Sequence, residues 1–415
     1  MLGKVISKQP LIELAQELNR ESKKPNQRSP RVLYSFPFRI GTERVCLTAW
    51  HQVAGAAKWD AQMTVLSGSV GHPFPLNVQS HTTLSLGSVR LPIRFLGSGY
   101  ACNIHDVMTA RWLERNSTKI DLVHGWPLAS LRTIRVAKRL GIPFLLERPN
   151  THTAYAYEAT AAECKKLGTK LPQGHDHEFN QNILNHEQQE YDNADYLLCP
   201  SEFVADTFRE RGFSNERLLR HHYGFDEKRF TPGQQDATQD RGLVMLYVGV
   251  CEPRKGLHYA IEAWLKSVAH IRGKFIVCGA FVPGYAEKLK PMLDHPSIEV
   301  LGHRKDIPEL MRRSDLFILS SVEEGSALVT YEAKGAGCVL VVSDGAGAVC
   351  SHLKDAMVHQ MRDVGALTEH INRLDQDRLL LQRLRVTSLA SSCQLCWNVA
   401  GKRLAQLYST TFRTF

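Results

Sequence analysis

The chain has 415 residues, of which 43% are apolar and 8% aromatic, so it can bury the cores of about two domains, and a disordered or fibrous protein is excluded. Its formal net charge of +9 suits an acidic ligand such as a nucleotide diphosphate, and also a membrane or nucleic-acid surface. No apolar run approaches the roughly 18 to 20 residues of a membrane span and no signal-peptide core is present, so we expect a cytoplasmic or peripheral protein with reduced cysteines.

Residues 1–30 are predicted to form an extension separate from the domains. Leu11, Leu14 and Leu18 lie on one face of a short amphipathic helix, and the polar, basic tract at 21–30 is typical of a linker. Such a segment either docks on the protein or frays, or it lies on an anionic bilayer. We therefore keep open a peripheral contact with the inner face of a membrane.

From residue 31 the sequence alternates strand and helix patterns, which predicts an α/β domain with a doubly wound parallel sheet over residues 31–230. The predicted strands lie at 32–36, 63–66, 93–96, 120–124, 143–147 and 196–200, and the clearest helices at 44–56, 107–115 and 128–140. Loops that follow parallel strands meet at the carboxyl edge of the sheet, where ligands bind. The polar candidates in these loops are Gly41, His124, Arg148, Asn150 and His152.

A histidine-rich stretch falls within the polar region 158–186, which we expect to be helical only in parts. His175, His177 and His186 have the chemistry of metal ligands, but their spacing matches no structural zinc pattern. No Asp-x-Asp motif stands at the end of a predicted strand either. The sequence therefore predicts a solvated loop and no metal site.

A polar hinge at 231–241 separates a second α/β domain, predicted over residues 242–392. Its first strand, at 243–248, leads into a turn that carries Arg254 and Lys255 just before a helix at 259–269. Cations are disfavoured at a helix N-terminus unless an anion joins them. These two residues therefore indicate a phosphate site.

The second domain also contains a Glu-x7-Glu pattern behind an apolar strand at 315–320. Glu324 lies in a tight turn and Glu332 about two helical turns later. The turn exposes backbone N–H groups that can hold an anion, while the two carboxylates can accept hydrogen bonds from a sugar and a ribose. The residues of the turn that offer these amides are Gly325, Ser326, Ala327 and Leu328.

These motifs resemble retaining GT-B glycosyltransferases of family four. The Glu-x7-Glu unit followed by Ala333 and Gly337, the hinge sequence at 222–232 and Lys255 carry the resemblance, which extends over about residues 190–345. Val250 stands where the family has an arginine, and Trp126 stands where many members have a second histidine.

The resemblance implies a GT-B fold, with two Rossmann-like domains facing one cleft and a terminal segment, 393–415, that crosses back to the first domain. Glu324, Lys255 and His124 would act on the sugar and its leaving diphosphate, and Arg254 would replace the arginine missing at Val250. The donor would also be held by Glu332, by the amides of the 325–328 turn and by a loop at Arg304 that borders the base. The candidates of the first domain would face the cleft.

The implied activity is transfer of a hexosyl unit from a nucleotide sugar with retention of anomeric configuration. It would need no cofactor, because the nucleotide sugar is itself a substrate, and no metal, because Lys255, Arg254 and the helix amides would neutralise the leaving diphosphate. The acceptor would be a sugar, lipid-linked or small molecule rather than a nucleic acid. Two alternatives remain open. One is a sugar-nucleotide epimerase on the same fold, and the other is a catalytically inactive GT-B subunit, which the missing arginine at Val250 would explain.

Overall fold

The computed structural model describes residues 28–86, 89–90, 97–233 and 241–415. Within these residues the chain forms two parallel sheets, each covered by helices on both faces. Residues 1–27 of the extension predicted at 1–30, the predicted strand at 93–96 and most of the polar hinge lie outside the described residues.

The first sheet has seven strands, and every adjacent pair in it is parallel. Its order is β3-β2-β1-β6-β7-β8-β9, and a short antiparallel pair, β4 and β5, lies beside it. The strands are β1 (Arg31–Ile40), β2 (Gln62–Val70), β3 (Gln79–Thr82), β4 (Ser85–Leu86), β5 (Val89–Arg90), β6 (Leu122–Gly125), β7 (Phe144–Glu147), β8 (Tyr196–Cys199) and β9 (Leu218–Arg220). The helices are α1 (Val45–Lys58), α2 (Ser98–Asn116), α3 (Leu131–Leu140), α4 (Thr153–Leu167), α5 (Gln181–Asn193) and α6 (Glu202–Arg209).

The second sheet has six parallel strands in the order β12-β11-β10-β13-β14-β15. Its strands are β10 (Val244–Val248), β11 (Lys274–Cys278), β12 (Ile298–Gly302), β13 (Leu316–Leu319), β14 (Val339–Ser343) and β15 (Ala356–His359). The remaining helices are α7 (Leu257–Lys266), α8 (Tyr285–Leu293), α9 (Ile307–Arg313), α10 (Leu328–Ala336), α11 (Val364–Gln376), α12 (Arg378–Ser392) and α13 (Trp397–Thr414). The central strands β13 and β14 are fully buried, as expected for continuous apolar runs in a parallel sheet.

Most predicted elements are confirmed with small shifts at their ends, and one shift has a clear cause. The helix expected from residue 128 begins at Leu131 because Leu128 has a positive φ of 68°. The backbone N–H groups of Leu128 and Ser130 donate to the buried carboxylate of Glu190 at 2.8 and 2.9 Å. A carboxylate from α5 thus holds this turn in a non-helical conformation.

The last helix, α13, packs on the first domain, which confirms the expected crossing. Its Gly401 meets Gly55 of α1 so closely that a Cβ on Gly55 would lie 2.8 Å from the Cα of Gly401. The segment that leaves the first domain and the segment that returns to it lie side by side, because Phe225 forms a β-bridge with Cys396 just before α13. Contact of two glycine backbones therefore anchors the carboxyl terminus to the first domain.

Candidate active site

The candidate site lies where the loop between β13 and α10 meets the turn between β10 and α7. Gly256 has a φ of 65°, and a Cβ there would lie 1.9 Å from the carbonyl oxygen of Ser320, so the two loops touch through backbone. Gly325 fits equally tightly against the first domain, since a Cβ would lie 1.7 Å from the carbonyl oxygen of Pro149. Glycine at both positions lets the loops of the two domains converge on one point.

Lys255 and Glu324 form an ion pair at this point. Lys255 Nζ lies 2.5 Å from Glu324 Oε2, and the two side chains are 15% and 13% exposed. Two of the three predicted catalytic side chains are therefore adjacent and accessible. A phosphate that binds Lys255 competes with the Glu324 carboxylate for the ammonium group, and a carboxylate released from Lys255 can accept a hydrogen bond from a sugar.

Arg254 was expected to replace the arginine missing at Val250, but its side chain binds carboxylates of the protein instead. Its guanidinium is buried and pairs with Glu252 at 2.9 Å and with Glu323 at 3.0 Å, while Glu324 lies 3.6 Å away. Burial alone would lower the pKa of Arg254, but these three carboxylates hold it above its usual value. The structure thus places Arg254 behind the loop, where it binds protein carboxylates, and not beside Lys255 as a second accessible cation.

The backbone N–H groups of the 325–328 turn lie at the start of α10. Helix α10 begins at Leu328 without a side-chain cap, and Ala327 takes the cap position. Within the described part of the chain, the N–H groups of Gly325, Ser326 and Ala327 are assigned no acceptor. Unsatisfied amides at a helix start favour an anion.

Glu332 lies partly buried on the second turn of α10. No residue that the structure describes donates a hydrogen bond to its carboxylate. Burial raises the pKa of Glu332 to about 7, although the positive charge of Arg229 opposes this shift. A buried carboxylate without a protein donor is suited to accept hydroxyl groups from a ligand, as the ribose role requires.

Arg304 follows β12, at the far edge of the second sheet. It is exposed and forms a two-pronged pair with Asp306, at 2.8 Å from Nε and 2.6 Å from Nη2. The structure therefore places Arg304 on an open edge loop, and its expected contact with a base stays a prediction.

His124 is buried and does not reach the interdomain cleft. Its Nδ1 lies 2.6 Å from the hydroxyl of Tyr408, and its Nε2 lies 3.1 Å from Glu147 Oε2. Both ring nitrogens are thus engaged inside the first domain, where Trp126 is also buried and donates to Tyr34 at 2.7 Å. This arrangement does not support the expected contact of His124 with the donor sugar, because no nitrogen is left for a hydroxyl.

The other candidates of the first domain divide into buried and accessible residues. Arg148 is buried in a pair with Glu187 at 2.7 Å, and His152 caps α4 by accepting from the N–H of Ala154. Burial, helped by the charge of Arg148, lowers the pKa of His152 to about 3. Both side chains are buried, so their expected position facing the cleft is not supported by this arrangement.

Asn150 and Gly41 are more accessible. Asn150 is exposed beside the Gly325 loop, and Gly41 directly follows β1 with a φ of 84°. Glycine is the residue that tolerates this conformation, and a Cβ there would also lie 2.7 Å from that of His72. These two of the four predicted residues of the first-domain cleft stay at positions that a ligand can reach.

The histidine-rich stretch is not the solvated loop that the sequence predicted. His175 Nε2 lies 3.1 Å from Glu252 Oε2, and His177 Nε2 lies 3.2 Å from Glu323 Oε2, so both rings reach into the second domain. Among the described residues, no group of three or more potential ligands is placed to hold a metal ion.

Sequence reasoning missed Glu323, the buried neighbour of Glu324. The Glu-x7-Glu spacing singled out Glu324 and gave no reason to weigh the preceding residue. The available signal was the doubled glutamate after an apolar strand, because one of two adjacent side chains must point away from the cleft. Its contacts from the first domain were not predictable from local pattern.

No helix in the described ranges is long and apolar enough to cross a bilayer.

Comparisons with known proteins find similarity to glycosyltransferases. The sequence model of the family described as "Glycosyl transferases group 1" matches residues 242–377. The chain is 27% identical over 160 residues to a Campylobacter jejuni N,N'-diacetylbacillosaminyl-diphospho-undecaprenol alpha-1,3-N-acetylgalactosaminyltransferase, covering 38% of this chain and 43% of that enzyme. It is 23% identical over 288 residues to an Escherichia coli UDP-Gal:alpha-D-GlcNAc-diphosphoundecaprenol alpha-1,3-galactosyltransferase, covering 63% of this chain and 68% of the relative.

Solved structures extend the likeness to the whole fold. Anabaena HepE in complex with UDP superposes with a TM-score of 0.63 at 17% identity, covering 92% of this chain and all of that one. Sucrose-phosphate synthase from Thermosynechococcus elongatus gives 0.65 at 15% identity, with 94% and 100% coverage. The two-sheet architecture is the GT-B fold, as the sequence predicted.

Proposed function

We propose that the protein transfers a hexosyl unit from a nucleotide sugar to an acceptor with retention and without a metal, a proposal supported by the match of residues 242–377 to the group 1 glycosyl transferases. The observation that carries the proposal is the cluster at the loop before α10. An accessible lysine from the turn before α7 meets an adjacent carboxylate and free backbone amides from the loop before α10, and an unbonded carboxylate lies on the second turn of α10.

Each group has a role in the proposed reaction. Lys255 and the amides of Gly325 to Ala327 compensate the diphosphate as it leaves, which is where negative charge develops. Glu324 orients the sugar, and Glu332 binds the ribose. The bond from the anomeric carbon to phosphate breaks, the bond to the acceptor oxygen forms on the same face, and the acceptor proton passes to a phosphate oxygen.

The names of the two relatives supply the donor and acceptor classes for testing. One acts on a UDP-linked sugar, and both act on an undecaprenol diphosphate that carries a sugar. We therefore extend the proposal to a UDP-sugar donor and to a saccharide linked by diphosphate to a lipid.

Two arginines at the end of β1 support an anionic acceptor. Arg39 and Arg44 flank Gly41, both are exposed, and neither forms an ion pair with any residue that the structure describes. Arg44 is also held at an unfavourable φ of 49° just before α1. Replacing both by alanine should raise KM for a diphosphate-linked acceptor at least tenfold while leaving KM for the donor unchanged.

The deciding experiment offers the purified protein UDP-glucose, UDP-galactose and their N-acetyl forms, with a synthetic lipid-diphosphate saccharide as acceptor. Release of UDP together with a new α-linkage in the product, seen by NMR, supports the proposal. Formation of an epimeric UDP-sugar would indicate the epimerase alternative.

One observation favours the inactive-subunit alternative. Arg254 is bound by protein carboxylates and Val250 carries no charge, so this turn leaves Lys255 as the cation that a diphosphate can reach. A subunit of this kind would bind UDP but would release none from any UDP-sugar, even slowly to water. Measurable donor hydrolysis would exclude it.

A further inference from the structure

The segment between α4 and α5 crosses from the first domain to the rear of the proposed donor site. Helix α4 ends at Leu167 with Gly168 in the left-handed conformation, and the chain then runs along the second domain before α5 begins at Gln181. We call residues 168–180 the histidine loop. Its His177 is 8% exposed, so the ring is enclosed by the two domains.

Glu323, which His177 contacts, is held from both domains. Thr151 Oγ1 donates to its carboxylate at 2.7 Å from the first domain, and Arg254 Nη1 donates at 3.0 Å from the second. The carboxylate is fully buried, and burial alone would raise its pKa. Arg254, His177 and Thr151 together hold that pKa below its usual value, so the buried group is a well-compensated anion.

The same contacts fix the backbone of the donor loop. Arg254 Nη1 also donates to the carbonyl oxygen of Glu323 at 3.0 Å, and Ser201 of the first domain donates to the carbonyl oxygen of Gly325 at 2.6 Å. Glu324 lies between these two carbonyls. The orientation of its carboxylate toward Lys255 thus depends on partners that stand behind it in both domains.

We propose that His177, with Thr151, is a positioning residue for the donor site. It orients the carboxylate of Glu323, which orients Arg254 and the loop that carries Glu324 and the anion-binding amides. The loop of the proposed donor site is therefore held in place by side chains of the first domain as well as of the second. This inference rests on the proposed function, because it assumes that the donor binds at Lys255 and Glu324.

Three variants test the inference. His177→Ala removes the contact, and His177→Gln keeps a nitrogen donor near the position of Nε2. His186→Gln is the matched control, because its ring lies 3.3 Å from Glu190 within the first domain and is 37% exposed. For each variant we would measure kcat and KM for UDP-sugar turnover, and Kd for UDP and for uridine by calorimetry.

His177→Ala should lower kcat about tenfold and weaken UDP binding by a similar factor, the usual effect of losing one hydrogen bond to a charged group. Uridine should bind as it does to the parent, because its contacts lie on the other side of the loop. His177→Gln should recover most of the loss, and the control should match the parent. A merely structural role would lower thermal stability without this split between UDP and uridine.

Parental kcat in His177→Ala, or equal defects in His177→Ala and His177→Gln, would overturn the inference. Absence of turnover in the parent with every UDP-sugar would instead count against the proposed function. In that case the Kd values for UDP and uridine alone test the inference. Weaker UDP binding with unchanged uridine binding in His177→Ala supports it, and unchanged UDP binding overturns it.

Discussion

We expect opposite effects on UDP binding when the two members of the Lys255–Glu324 ion pair are substituted. Removing the cation with Lys255→Ala should weaken UDP binding, because the diphosphate loses its accessible counter-charge. Neutralising the anion with Glu324→Gln should strengthen UDP binding, because the phosphate no longer competes with a carboxylate for Lys255. The same Glu324→Gln variant should turn over donor more slowly, since the carboxylate that orients the sugar is gone.

The sizes follow from the geometry. A charge-assisted hydrogen bond lost from a partly buried site costs about 1.5 to 3 kcal/mol, which is about a ten- to hundredfold weaker Kd for Lys255→Ala. Two charges about 4 Å apart near a protein surface attract by about 4 kcal/mol. Glu324→Gln should recover only about 1 kcal/mol of this, or about fivefold tighter binding, because Arg254 at 3.6 Å already offsets part of the carboxylate charge.

Calorimetric titration of uridine, UDP and one UDP-sugar against both variants tests this reasoning. Lys266→Ala is the matched control, because Lys266 lies on the adjacent helix α7 and its Nζ pairs with exposed Glu262 at 2.7 Å. Uridine binding should be the same in all four proteins. If Glu324→Gln bound UDP more weakly than the parent, the carboxylate would be a ligand of the nucleotide, and the exchange at Lys255 would be refuted.

Four further outcomes are expected. Glu332 has its pKa raised to about 7 and is mostly protonated below that pH, so ribose binding to the ionised carboxylate should strengthen from pH 6 to 8 with loss of a proton, and Glu332→Gln should abolish this dependence in calorimetry. Transfer should persist in excess EDTA, and rescue by Mg²⁺ or Mn²⁺ after loss would disprove the metal-free mechanism. Glu147 accepts from four buried side chains, so Glu147→Ala should lower the free energy of unfolding in urea by about 3 to 5 kcal/mol, and a loss below 1 kcal/mol would contradict the network. Deleting residues 1–27 should reduce binding to anionic liposomes and spare UDP binding, whereas unchanged liposome binding would remove the membrane role of that segment.

The sequence was informative wherever structure and chemistry depend on neighbours along the chain. Apolar runs bounded by polar turns gave the central strands of both sheets, because a strand buried on both faces has to be continuously apolar. Lys255, the 325–328 turn and Glu332 could be identified for the same reason. Their proposed roles depend on their positions relative to the start of a helix, and helix starts leave a local pattern.

Several elements left too weak a local pattern to be predicted. Edge strands β3 and β9 have four and three residues, and every residue of β3 is exposed, so neither carries a long apolar run. The division of the 158–186 region into α4, the histidine loop and α5 was likewise seen only in outline. These elements gain their stability from packing against the rest of the sheet and the second domain.

Which polar side chains face the cleft was decided only by tertiary structure. His124 is engaged by Tyr408, 284 residues later, and Arg254 by Glu323, 69 residues later. Burial of a charge or an imidazole is favourable only when partners arrive from elsewhere in the fold. The sequence by itself indicated the fold and the loop of the proposed donor site, while only the tertiary structure showed that His124, Arg148 and Arg254 are buried against partners that no local pattern reveals.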